Sequence, residues 1–220
     1  MTSRPTVISL DEIPAVIAKS FSDRDLITVY VGSNAATPTS SLAALTAAVR
    51  ARWPRLPHLR MVHLLLQGPV PYVEPGLQDR VMAYSLFSGG EVRAAANAGR
   101  AFYLPCTLAC IDSLIGRGRP FMPDVAIFKV RQHDVTGEYS LGLSVEALHT
   151  AIDHATCVIG ELDPAMPFTL GQSVVDGSSL DYVVEGPVAP VYDVPAPDFD
   201  RLPPAERRIG ELIADHFVRD

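Results

Sequence analysis

The 220-residue chain reads as an α/β domain on an open, mostly parallel sheet with helices on both faces, followed by a Pro-rich C-terminal arm and helix. Apolar runs of strand length alternate with stretches of helical period. The runs are near-continuously apolar rather than alternating, as strands covered on both faces are. Glycine and proline mark several of the junctions between them.

Leu26–Val31 (LITVYV) is β-branched and aromatic, bounded by Asp25 and Gly32, and reads as the first buried strand. Thr37-Pro38 then opens an amphipathic helix, with proline in its first turn and Thr37 as N-cap. Met61–Gln67 is a second strand and Val81–Phe87 a third. Gly89-Gly90 leads into a short helix that Gly99 stops. The beat repeats: strand 101–105, helix 109–118, strand 123–130, helix 144–156, strand 157–162. From Gly186 to Pro204 there are six prolines in nineteen residues, which excludes helix and central strand and implies an extended arm or linker. A last amphipathic helix begins at 204 and carries Ile209, Leu212, Ile213, His216 and Phe217 on one face. The expected division is therefore 1–185 for the α/β domain and 186–220 for arm and helix.

Composition narrows the function. Apolar residues make up 48% and charged residues 20%, too apolar for disorder. A net charge of −7 argues against nucleic acid as a partner, since such a surface repels a polyanion. No apolar stretch reaches the ~18 residues of a membrane span. Pro5, Asp11, Glu12 and Pro14 break up the N-terminus, which does not read as a secretory signal. Cys106, Cys110 and Cys157 lack zinc or redox spacing and read as reduced thiols of a cytoplasmic protein. Lys19 and Lys129 stand against sixteen arginines, a ratio that looks like coding bias.

Few residues announce chemistry. The loop Gly32-Ser33-Asn34-Ala35-Ala36-Thr37-Pro38 joins a strand to a helix N-terminus through small side chains, which lets backbone N–H groups approach an anion. It matches no nucleotide fingerprint and reads equally as a tight βα turn. His58, His63, His133, His149, His154 and His216 show no metal-ligand spacing, so no metal is expected. Cys106, after a strand and before a helix, is a weak candidate for a lowered thiol pKa, and small-residue packing is the commoner role. Glu91, Glu138, Glu146, Glu161, Asp163, Asp176 and Asp181 are scattered. Glu161 and Asp163 end a strand, where a catalytic acid or a capping or solvated carboxylate fits equally.

Several segments together resemble the N-terminal half of the acetyl-CoA hydrolase/4-hydroxybutyrate CoA-transferase family. They are GSNAATP with its helix, MVHLLLQGPVPYVEP, SLFSGGEVRAAANAGRAFYLP, PDVAIFKVRQHDVTGEYSLGLSVE and ELDPAMPFTLGQSVVDGSSLDYVVE, in order from about Thr28 to Phe217. The most distinctive are Gly137-x-Tyr139-Ser140-Leu141-Gly142 and Met166-Pro167-x-Thr169-x-Gly171-x-Ser173.

The resemblance implies a CoA-transferase-like, Rossmann-like half whose active site faces a second, similar half. There a glutamate attacks the acyl-CoA thioester. Glutamate and CoA site belong to that other half, so the chain reads as one subunit of a two-chain CoA-transferase, a heterodimer or heterotetramer inactive without its partner. Acyl-CoA and a small carboxylate would be its substrates, with no permanently bound cofactor. The facing wall would come from Gly32, Ser33, Asn34, Ser85, Phe87, Ser140, Leu141, Gly142, Met166, Pro167 and Gly171. An acyl-CoA hydrolase subunit and a non-catalytic structural or regulatory subunit are the alternatives. The chain departs from the family pattern at Ala101-Phe102-Tyr103, at Arg131–Thr136 and at Val175-Asp176, which bears on substrate preference.

Overall fold

The computed structural model describes residues 4–218 apart from 194, 195 and 197. Its core is a sheet of eight strands, all paired in parallel. From edge to edge these are β1 (Thr6–Ile8), β10 (Tyr182–Val184), β8 (Cys157–Leu162), β6 (Val125–Gln132), β2 (Leu26–Val31), β3 (His58–His63), β4 (Val81–Ser85) and β5 (Ala101–Tyr103). Two short strands, β7 (Tyr139–Ser140) and β9 (Val174–Val175), extend β6 in antiparallel fashion.

The apolar runs have a clear cause. Along β2, Ile27, Val29 and Val31 enter one core while Tyr30 enters the other; along β6, Val125 and Ile127 oppose Ala126, Phe128 and Val130 in the same way. Helices α1 (Ile13–Ser20), α2 (Thr39–Arg50) and α3 (Gly90–Asn97) cover the first core, through Ile13, Ile17, Leu42, Leu45, Val92 and Ala95. Helices α4 (Ile111–Ile115) and α5 (Leu148–His154) cover the second, through Ile111, Ile115, Leu148 and Ala151. With both faces buried, successive side chains are apolar along most of each strand.

Several expectations need correction. Strands β1, β7, β9 and β10 and helix α1 were not foreseen; the strands have two or three residues each, too few to show a period. Pro14 does not break α1, because it sits in the first turn, where no N–H partner is lost. Strand β3 lies at 58–63 rather than 61–67, and residues 64–67 become the loop leaving it. The helix foreseen at 109–118 is a 3-10 turn, Leu108–Cys110, followed by α4. The helix foreseen at 144–156 shortens to α5.

Thr37 is not the N-cap of α2: its Oγ1 donates to the Asn34 carbonyl at 2.7 Å and accepts the Gln67 N–H. Of the arm, Pro195 and Pro197 lie outside the described residues, as do Arg219 and Asp220 of the last segment. Helix α6 (Pro204–Phe217) forms as expected and buries none of its residues; Ile209, Ile213 and Phe217 are at least half exposed. Among the described residues no helix is long and apolar enough to cross a membrane.

Candidate functional site

The chain leaves β2 through α2 to β3, β4 and β5 on one side, then returns to place β6 and β8 on the other. The strand order therefore reverses between β2 and β6, and in open α/β sheets ligands bind at the carboxyl ends of the strands at such a point. The loop leaving β2 enters this crevice. Gly32 is buried and donates its N–H to Ile127 O on β6 at 2.8 Å. A Cβ on Gly32 would stand 2.6 Å from Phe128 Cβ, so only glycine lets the two backbones approach this closely.

Ser33 is fully buried; its N–H and Oγ both donate to Glu146 Oε1, at 3.0 and 2.7 Å. Asn34 adopts a left-handed backbone (φ 55°), which asparagine tolerates better than most residues. Its N–H donates to Leu65 O and its Nδ2 to Ser144 Oγ. Ser144 Oγ in turn donates to Glu146 Oε2. Glu146 thus ties the first loop to the segment after β7, a role with no local sequence signal.

The two most distinctive motifs converge next to it. Ser140 Oγ donates to Thr169 O at 2.9 Å and accepts the N–H groups of Gly142 and Thr169. Thr169 Oγ1 lies 2.8 Å from the Gly142 carbonyl and 2.7 Å from Ser173 Oγ. The Leu141 N–H donates to Ser173 O. Gly142 has φ 64° and faces the buried Met166 side chain so closely that a Cβ would fall 2.5 Å from Met166 Sδ.

Ser33 and Asn34 therefore belong to one hydrogen-bonded network with Ser144 and Glu146, and Ser140, Leu141, Gly142 and Met166 to a second with Thr169 and Ser173, the two joined along the chain through residues 142–144. Pro167 is exposed, and Gly171 (φ 74°) is an open left-handed turn. Ser85 and Phe87 lie apart from both networks, at the carboxyl end of β4, two strands beyond β2. Ser85 Oγ donates to Phe87 O, and the Phe87 ring is 57% exposed.

Beneath the crevice is a buried ionic group. Lys129 and Glu161 are direct cross-strand partners on β6 and β8, and both are fully buried. Lys129 Nζ donates to Asp163 Oδ2 at 3.0 Å and stands 3.0 Å from Glu161 Oε1, off the line of a directed hydrogen bond. Glu161 Oε2 accepts from Ser41 N–H and Oγ at 2.7 and 2.6 Å, capping α2 from another strand. Asp163 Oδ1 accepts the Ala165 N–H.

Lys129 also donates to Ala189 O at 2.5 Å, the Ala189 N–H donates to Ser40 Oγ, and the Tyr192 N–H donates to Ala35 O. These bonds lay the arm across the start of α2 and the loop after β2. Glu146, Glu161 and Asp163 are each held by several donors, so they act as scaffold here. Lys129 was missed; a lone lysine inside an apolar strand of an arginine-rich chain was the available signal.

Thiol chemistry gains no support from Cys106. Burial first, and Cys110 second, push its thiol up, not down, and α4 starts only at Ile111. Burial pushes the Cys157 thiol up to about 12, with Asp181 adding to it. Among the described residues no group of three or more His, Cys, Asp or Glu side chains could hold a metal ion.

His63 closes β3 with its ring fully buried beside Tyr72; Nδ1–H donates to Leu64 O, and Nε2 has no partner among the described residues. Burial lowers its pKa to about 4. Between the unfolded value of 6.5 and about 4 the unfolded chain takes up a proton that the folded chain refuses, so stability falls as the pH drops through that window. The expected loss is about 3 kcal/mol by pH 4. Urea unfolding near neutrality and at about pH 4.5, on the native chain and on His63→Leu, measures it. The variant should lose less stability on acidification; an unchanged slope would refute the assignment.

Residues 12–195 match the family described as the acetyl-CoA hydrolase/transferase N-terminal domain. The 4-hydroxybutyrate coenzyme A transferase of Clostridium kluyveri is 36% identical over 157 residues, covering 71% of this chain and 35% of that protein. The succinyl-CoA:acetate/propanoyl-CoA:succinate CoA transferase of Fasciola hepatica is 30% identical over 198 residues, or 90% and 39%. RipA from Yersinia pestis superposes with a TM-score of 0.80 at 21% identity, covering 96% of this chain and 48% of RipA. The 4-hydroxybutyrate CoA-transferase from Porphyromonas gingivalis gives 0.65 at 24%, covering 86% and 41%.

At those identities the two structures speak to the fold alone. The chain spans less than half the length of each of these four proteins. With five-sixths of its residues inside the match, the chain belongs to the acetyl-CoA hydrolase/transferase N-terminal domain family.

Proposed function

We propose that the chain forms one wall of the active site of an acyl-CoA:carboxylate CoA-transferase. The nucleophilic glutamate and the CoA pocket would come from a second CoA-transferase-like domain on a separate subunit. Residues 1–185 make the wall and 186–220 the arm and docking helix. The observation that carries this reading is the alignment with two curated CoA transferases over 71% and 90% of the chain, of which the chain spans 35% and 39%. The outward apolar side chains of α6 fit a docking role, as do the exposed Phe87, Leu143 and Leu170. The engagement of Glu146, Glu161 and Asp163 by donors of the chain itself fits a nucleophile supplied from elsewhere.

The partner's glutamate carboxylate attacks the thioester carbonyl and expels CoA thiolate, leaving an acyl–glutamyl anhydride. The thiolate then attacks the glutamyl carbonyl, releasing the first carboxylate and leaving a glutamyl–CoA thioester. An incoming carboxylate reverses both steps and departs as its own CoA thioester. In this scheme Gly32, Ser33, Asn34, Ser85, Ser140, Leu141, Gly142 and Met166 shape the wall from within, while the exposed Phe87, Pro167 and Gly171 line it.

Co-expression with a chain carrying the family's other half tests this reading. The pair should co-purify and exchange CoA between acetyl-CoA and propionate. Borohydride or hydroxylamine should trap the partner's glutamate only when acyl-CoA is present, and this chain alone should turn over no thioester. Turnover by this chain alone refutes the separate glutamate, and hydrolysis without need of an acceptor refutes the transferase.

A further inference from the structure

At the opposite ends of the strands from the crevice, where β2, β3 and β4 begin, lies a hollow of 470 Å³. Arg24 and Asp25 reach it from before β2, Arg55 and His58 from the turn into β3, and Arg80 from before β4. In a chain of net charge −7, one carboxylate here meets three guanidinium groups and an imidazole.

Nearby carboxylates neutralise Arg24 and leave Arg55 and Arg80 without a partner of opposite charge among the described residues. Asp124 pairs with Arg24 at 3.2 Å, Asp79 with Arg52 at 2.6 Å, and Glu74 with Arg50. The hydrogen bond from Arg52 is the largest cause holding the Asp79 carboxyl below its usual value, and Arg80 contributes least. Arg55 and Arg80 have no ion pair among the described residues. Arg80 is half-buried and held in place by its Nη2, which donates to Leu56 O at 2.7 Å; its Nε is sealed from water and has no acceptor among the described residues. An unneutralised guanidinium fixed at the wall of a concavity is preorganised for a tetrahedral oxyanion. The hollow exceeds a single phosphate, and Leu56 and Pro57 give it an apolar side for a carbon skeleton.

We propose that this hollow binds a phosphate dianion, free or as the monoester of a small molecule, between Arg55 and Arg80, with Arg24 and His58 flanking it. The inference stands apart from the CoA-transferase reading, and CoA is left out of its test. The full chain, labelled with ¹⁵N, is titrated with inorganic phosphate and with AMP at constant ionic strength.

Saturable shifts should appear at the amides of Asp25, Leu56 and His58. Tighter binding of AMP marks a monoester site, and equal binding a site for the free ion. Arg55→Gln, an exposed residue with no structural bond to lose, should weaken binding about tenfold. Arg80→Gln should weaken it at least as much, while Arg208→Gln on α6 should leave it unchanged. Absence of saturable shifts, equal shifts with chloride, or undiminished binding by Arg55→Gln overturns the proposal.

Discussion

Lys129→Met should destabilise the fold by about 3–5 kcal/mol, a large part of the stability of a domain this size. The substitution keeps the volume and deletes the ammonium that faces two buried carboxylates, Glu161 and Asp163. Glu161 keeps its two Ser41 donors and Asp163 the Ala165 N–H, but neither keeps a counter-charge. Most of the cost is therefore the burial of unpaired charge rather than the worth of the bridge itself.

Adding Glu161→Gln and Asp163→Asn to Lys129→Met should accordingly recover more than half of the loss, although each neutral amide loses part of its acceptor strength. Denaturant unfolding of the native chain, the single variant and the triple variant resolves the terms, and a single-variant loss below about 1 kcal/mol would mean that water reaches the ammonium. The same variant cuts the bond to Ala189 O, so amides near 189–192 should exchange faster with solvent even where the domain stays folded.

Gly32→Ala should cost about 3 kcal/mol, at the upper end for overpacking. The new methyl would meet Phe128 Cβ at 2.6 Å and Phe128 Cα at 3.1 Å, on the strand paired with β2. Phe128→Ala offers no relief, because alanine keeps both offending atoms, and the two costs should add. Rescue by Phe128→Ala would show that the ring, not the backbone spacing, sets the limit. Relief by movement must open β2 from β6 and pull Ser33 from Glu146, so under the proposed function CoA exchange by the co-expressed pair should fall by more than the loss of folded fraction.

How far the fold could be read in advance depended on burial. Strands β2, β6 and β8 lie between two helical layers, so water is excluded from both faces and the requirement is written into nearly continuous apolar runs. Strand β1 at the edge and β10 beside it have only three residues each, which leaves no period to detect. Ser140, Gly142, Met166 and Thr169 could be picked out as motif residues, whereas their convergence could not: Ser140 and Thr169 meet across 29 positions.

The order of apolar and polar residues by itself determined the α/β class, the parallel sheet, the loop after β2 and the terminal amphipathic helix, since each follows from local period and backbone chemistry. Only the tertiary structure decided that Glu161 rather than Thr37 caps α2, that Glu146 holds Ser33, and that Lys129 fastens the arm. Such bonds join residues 60 to 120 positions apart, and a charge becomes worth burying only where folding has brought its partners to it.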